Sequence, residues 1–76
     1  MAPEKLDLSG VPCPANSARA LMRMETLEPG DVLEVTVDDG EPALNVPASL
    51  AAEGHKILKK RRSGGKWIIT ARKAGQ

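Results

Sequence analysis

The chain has 76 residues, with 11 Lys and Arg against 10 Asp and Glu, so its bulk charge of +1 argues for neither a nucleic-acid nor a membrane-surface partner. With no Phe, no Tyr and a single Trp, the core must be built from Leu, Val, Ile, Met and Ala. A single domain over residues 1–76 is expected, burying about 60% of the surface of its unfolded chain.

One cysteine cannot build a disulfide framework, and no apolar run reaches the length of a membrane span. Met1-Ala2-Pro3-Glu4-Lys5 lacks the basic-then-apolar plan of a signal peptide, so a soluble cytoplasmic protein is expected.

Leu6 and Leu8 alternate with Lys5 and Asp7, which predicts a short strand over 5–8. Ser9-Gly10-Val11-Pro12 reads as a loop that reverses the chain. A helix is expected from Pro14 to Leu27, with Ala20, Leu21, Met24 and Leu27 at helical spacing on one face. Arg19 and Arg23 fall one turn apart on a more exposed side, and Met22 and Met24 read as core packing. Glu28-Pro29-Gly30 ends the helix.

Residues 31–37 form the clearest strand, with Leu33, Val35 and Val37 on one face and Val32, Glu34 and Thr36 on the other. Asp38-Asp39-Gly40-Glu41-Pro42 reads as a turn cluster. A second helix is expected with Asn45 as cap, Pro47 in its first turn and Gly54 as its stop, turning Val46, Leu50 and Ala51 inward. Residues 55–62 and 66–73 read as strands joined by a turn at Ser63-Gly64-Gly65, with Trp67, Ile69 and Ala71 sharing a face. The order β-α-β-α-β-β implies an α/β (α+β) two-layer sandwich, both helices on one face of a four-stranded mixed sheet.

The strongest chemical signal is Cys13, set between two prolines just before an amphipathic helix. A helix N-terminus carries partial positive charge and unpaired N–H groups, and a thiol held there ionises more readily to the nucleophilic thiolate. Pro14 suits the first helical position, which makes Cys13 the cap or its neighbour. The alternative is a small buried hydrophobe. With no second cysteine there is no C-x-x-C pair, so any disulfide, or resolution of an adduct, must be intermolecular.

His55, the only histidine, reads as a solvent-facing residue at a strand start rather than a partner of Cys13. One Cys and one His fall short of a metal-ligand set, so neither a metal nor a cofactor is expected. Lys59-Lys60-Arg61-Arg62 is either a strand edge guarded by charge or a surface for an acidic protein, and the lack of aromatic platforms argues against stable nucleic-acid binding. Gly64-Gly65 lacks the lysine-terminated approach to a helix that a phosphate loop needs.

Leu6-Asp7-Leu8-Ser9-Gly10-Val11-Pro12-Cys13-Pro14 resembles the opening L-D-x-x-G-[apolar]-x-C-P-x-P of the TusA/SirA-like sulfur-carrier family. Leu27-Glu28-Pro29-Gly30-Asp31 resembles that family's helix-to-strand step, and Asn45-Val46-Pro47 its D-[IV]-P segment. Two positions depart from the pattern: Asn16 replaces the second proline of C-P-x-P, and Asn45 replaces the acid.

The resemblance implies a sandwich like the C-terminal domain of translation initiation factor three. It also implies a sulfurtransferase, loosely an enzyme, whose Cys13 accepts sulfane sulfur as a persulfide. The donor would be a cysteine desulfurase or rhodanese and the acceptor a second protein, in service of tRNA thiolation, molybdenum-cofactor synthesis or oxidative sulfur metabolism. Pro14 and Asn16 would support the cysteine turn, with the Asn16 amide, at the third helical position, bonding back to it. Arg19, Arg23, Lys59 and Lys60 would meet partners, and the carrier would act as a monomer without membrane insertion. The alternatives are a regulatory module of the same fold that binds protein or RNA, and an accessory to a membrane thiosulfate or selenium pathway.

Overall fold

The computed structural model describes residues 4–12 and 14–74. The elements run β1 (Glu4–Asp7), α1 (Ala15–Glu25), β2 (Val32–Asp38), α2 (Glu41–Ala52), β3 (Lys56–Ser63) and β4 (Lys66–Arg72). The four strands form one sheet in the order β1-β2-β4-β3. β1 lies parallel to β2, Leu6 opposite Val35, and the other pairings are antiparallel, so the sheet is mixed. The expected two-layer α+β architecture is therefore the observed one.

Alternation in β2 sets the core. Leu33, Val35 and Val37 point to one face and are fully buried, joined by Ile69 and Ala71 of β4. Ala20 and Met24 of α1, with Ala43, Val46 and Leu50 of α2, cover them, and Leu8 closes the cluster. Burying each large aliphatic side chain stabilises by about 1.5–3 kcal/mol relative to leaving it exposed. Leu21, Leu27, Ile57 and Trp67 pack around the rim. Gly64 and Gly65, at φ 49° and 76°, make the β3–β4 turn, a backbone twist that glycine adopts without cost from a Cβ. Lys73 closes the far end of α1, its Nζ donating to the Met24 carbonyl at 2.9 Å, where a cation meets the helix's negative pole.

Several boundaries differ from expectation. Pro14 is the N-cap of α1 (φ −93°, ψ 7°), not its first helical residue, so Asn16 is the second residue of the helix. α2 begins at Glu41 rather than after Asn45. Pro42, in its first turn, fills the role expected of Pro47, which instead lies buried inside the helix and removes the N–H that would reach the Ala43 carbonyl. The buried stripe is Ala43, Val46, Pro47 and Leu50, and Ala51, expected to face inward, lies about a hundred degrees past Leu50 and is exposed. Met22 is not core but 69% exposed, since two residue steps, about two hundred degrees, separate it from both Ala20 and Met24 of the buried face.

Leu33→Ala should lower stability by about 2–5 kcal/mol, and Leu44→Ala, on the exposed side of α2, by less than about 0.5 kcal/mol. Urea unfolding followed by Trp67 fluorescence measures both. Equal losses would contradict this core.

Candidate functional site

Cys13 lies outside the described residues, and its surroundings are built by the residues on either side. The chain leaves β1 through a loop fastened to the end of β2. The Leu8 N–H donates to the Thr36 carbonyl at 2.8 Å, and the Val11 N–H returns to the Leu8 carbonyl at 3.1 Å. The Gly10 N–H donates to Asp38 Oδ2 at 2.7 Å, while Lys66 Nζ stands 3.6 Å from Asp38 Oδ1. Gly10 has φ +76°, the left-handed turn that glycine permits. Pro12 and Pro14, both exposed, follow this clamp.

Two backbone bonds start the helix: Asn16 N–H to the Pro12 carbonyl and Ala18 N–H to the Pro14 carbonyl, each 3.1 Å. No side chain caps this end from Pro14, and its first turn holds no acid, so the positive pole of α1 has no counter-charge of its own. Asn16 is the one fully buried polar residue among those described. Its Oδ1 accepts the Ser17 N–H at 2.6 Å, a bond that runs forward into the helix rather than back to the cysteine turn. Its Nδ2 is buried with no hydrogen-bond partner among the described residues, an arrangement that costs about 1–3 kcal/mol.

The expected partner-contact residues do not form one surface. Arg19 and Arg23 lie beside β1, lining with Leu6, Met22 and Thr26 an open groove of about 370 Å³. Arg23 Nη1 pairs with Glu4 Oε2 at 2.7 Å. Lys59 and Lys60 lie on β3, the opposite edge of the sheet.

At that second edge, Asp39 gathers the turn after β2 onto the hairpin. Its Oδ1 accepts from Trp67 Nε1 at 2.8 Å and from the Gly40 N–H at 3.0 Å, and Arg62 Nη2 reaches Oδ2 at 3.1 Å. These contacts, the Trp67 N–H foremost, then the Gly40 N–H and the Arg62 charge, hold the Asp39 carboxyl below the usual carboxylate range. Lys60 Nζ and the Arg62 guanidinium stand 5.2 and 5.9 Å from the Trp67 ring centre.

His55 is not a solvent-facing residue. It is half-buried, and its Nδ1 accepts the Ala74 N–H at 3.1 Å. Burial, with the Lys73 charge, lowers its basicity against a smaller opposing pull from Glu53, which keeps that nitrogen an acceptor. No group of three or more His, Cys, Asp or Glu among the described residues could hold a metal ion. Among those residues no helix is long and apolar enough to cross a membrane. In sequence the paired acids 38 and 39 read only as a turn, whereas in the structure each holds another segment in place.

The family model described as Sulfurtransferase TusA matches residues 4–73. A relative in Archaeoglobus fulgidus, named "Putative sulfur carrier protein", is 33% identical over 73 residues, covering 95% of this chain and 83% of the relative. Its namesake YedF in Escherichia coli K12 is 32% identical over 60 residues, covering 79% and 78%. The crystal structure of a SirA-like protein from Desulfitobacterium hafniense superposes with a TM-score of 0.79 at 26% identity, covering 95% of this chain and 97% of that one. A solution structure from Helicobacter pylori, at TM-score 0.77 and 21% identity over 95% and 99%, shares the fold.

Because the folded protein holds the Asp39 carboxyl below its ordinary range, the unfolded chain binds the proton more readily there. That contribution to stability is present above the ordinary carboxylate range and is lost as pH falls through the lowered value, below about pH 4. Asp39→Asn should therefore flatten the acid limb of stability against pH. Urea midpoints from pH 2 to 7, read by Trp67 fluorescence, test this, and an unchanged slope contradicts it.

Proposed function

The chain belongs to the Sulfurtransferase TusA family and has a role in sulfur transfer. From that premise we propose that it is a cytoplasmic, monomeric sulfur carrier that holds sulfane sulfur as a persulfide on Cys13 and relays it between two proteins. The observation that carries this reading is the start of α1: two exposed prolines flank Cys13 in the chain, directly before a helix pole with neither acid nor side-chain cap. A sulfur anion is the species such a pole favours.

The transfer is a thiol–persulfide exchange. The Cys13 thiolate attacks the outer sulfur of the donor's persulfide. The donor's sulfur–sulfur bond breaks, its own cysteine leaves as a thiolate, and a new sulfur–sulfur bond forms on Cys13. The outer sulfur keeps its proton, total charge is unchanged, and no outside oxidant or reductant is needed. The same exchange in the acceptor's favour empties the carrier.

A cysteine desulfurase or a rhodanese is the donor class that supplies such a persulfide. The carrier needs no cofactor in this scheme. Arg19 and Arg23 at one edge and Lys59 and Lys60 at the other are the contacts proposed for donor and acceptor. The exposure of nearly all of β3 favours a second reading, a module of the same fold that binds an acidic protein without sulfur chemistry.

Intact-protein mass spectrometry separates the two. After incubation with a desulfurase and cysteine, or a rhodanese and thiosulfate, the wild type should gain one sulfur atom that a reductant removes. Cys13→Ser should gain none. No gain in the wild type with either donor would overturn the carrier reading in favour of the binding module.

A further inference from the structure

The sheet has two outer edges, and they are built differently. On one side β3 breaks register between Ile57 and Lys59, and its exposed row carries Lys56, Lys59, Lys60, Arg61 and Arg62. A bulge and clustered cations both oppose the addition of another strand. On the other side β1 pairs with β2 without a break from Glu4 to Asp7 and carries one cation, Lys5.

The backbone of β1 is directed by its neighbour. The Leu8 N–H donates to the Thr36 carbonyl at 2.8 Å, and successive residues of a strand turn their backbone groups to opposite edges. Glu4, Leu6 and Leu8 therefore face β2, and the N–H and C=O groups of Lys5 and Asp7 face away from the sheet. No other strand lies beyond them among the described residues. Side chains alternate as well: Leu6 packs toward the core, while Lys5 and Asp7 are exposed.

The space beside this edge has a chemistry of its own. Leu6 of β1 meets Arg19, Met22, Arg23 and Thr26 of α1 and its C-cap across the open groove of about 370 Å³. Met22, a flexible side chain that adapts to an apolar partner, stands open to solvent. Arg23 is held by Glu4, whereas Arg19 is exposed and enters no ion pair among the described residues. A strand added here would run about 4.8 Å from β1, and the side chains it turned toward the helices would enter the groove.

We propose that the free edge of β1 and this groove form a docking site for an extended acidic segment of a partner protein. The segment pairs with the outward backbone groups of Lys5 and Asp7, lays an apolar side chain on Leu6 and Met22, and sets a carboxylate on Arg19. The inference rests on the reading of Arg19 and Arg23 as partner contacts, and not on sulfur chemistry at Cys13. Two outward residues make a short pairing, which suits a carrier that must release each partner in turn.

The probe is a short blocked peptide of alternating threonine and leucine that ends in one aspartate, added to isotope-labelled protein and followed by NMR. At roughly millimolar peptide the Lys5 and Asp7 amide resonances and the Met22 methyl should move, and those of β3 should not. Lys5→Pro removes an outward N–H that β2 does not use, and Lys5→Ala keeps it. Binding should fall about fivefold in Lys5→Pro relative to Lys5→Ala, and about fivefold in Arg19→Gln relative to wild type, the loss of one hydrogen bond or ion pair. Trp67 fluorescence checks folding, and the wild-type shifts with Arg19→Gln decide the matter if Lys5→Pro unfolds.

Still Lys5 and Asp7 amides, or equal binding by folded Lys5→Pro and Lys5→Ala, overturns the inference even where the wild type loads sulfur. Movement of those amides with protein concentration alone assigns the edge to a second copy and overturns it too. Peptide binding at β1 in a protein that no donor loads would support the docking edge and sink the carrier reading.

Discussion

The start of α1 is held in place by a carboxylate on another strand. Asp38 ends β2, and through Oδ2 it accepts the Gly10 N–H from the loop that leaves β1. Its second oxygen faces Lys66 at the start of β4, so three segments meet at one side chain. Each contact is exposed and adds little to stability by itself. Together with the Thr36 carbonyl, which accepts the Leu8 N–H, they fix where the chain turns toward Pro12. The buried stripe of β2 anchors both helices, and the end of the same strand aims the loop that feeds the first of them.

That economy leaves the helix pole unusually bare. A helix start is ordinarily stabilised by a Ser, Thr, Asp or Asn cap or by acids in its first turn. Here the cap position is a proline, and the polar side chain that reaches the turn comes from inside the helix, at Asn16. A carboxylate at either place would stabilise the isolated helix and at the same time oppose a second anion beside it. The arrangement gives up some helix stability, and a buried amide hydrogen bond with it, at the one segment where the chain carries its cysteine. Local rules broken together at one point are what a site, rather than a scaffold, leaves behind.

The fold was legible because alternation and periodicity are written by the core. Leu33, Val35 and Val37 report their face of β2, and Ala20 and Met24 theirs of α1, whatever the rest of the chain does. The start of α2 was not legible, because Pro42 and Pro47 suit a first helical turn equally well by local rules. Only packing, which buries Ala43 and Pro47 together, distinguishes them. At the site, the identities of Cys13, Pro14 and Asn16 stand out in the sequence, but the half-used amide does not. A satisfied oxygen beside a nitrogen unpartnered among the described residues is a fact of geometry that no spacing encodes.

The basic run on β3 changes meaning in the same way. In sequence Lys59-Lys60-Arg61-Arg62 is a block of four cations, yet a strand sends successive side chains to opposite faces. Lys60 and Arg62 stand over the Trp67 ring, and Arg62 is tied to Asp39. Lys59 and Arg61 sit opposite Thr70 and Ile68, residues of the other face of β4. A partner approaching the open face meets two cations of the run rather than four, beside Lys66 and Arg72 of β4 and interrupted by Glu34 and Asp38 of β2, a mixed surface rather than the continuous basic track a polyanionic backbone follows. It is well matched to a few carboxylates on a protein. The same alternation spreads positive charge along the one long edge that β3 leaves unpaired, so that a second sheet docking there would have to bury charge on both faces. Guarding the edge follows from the alternation of the strand, and the same guard means that any partner docking there would have to bring its own negative charge.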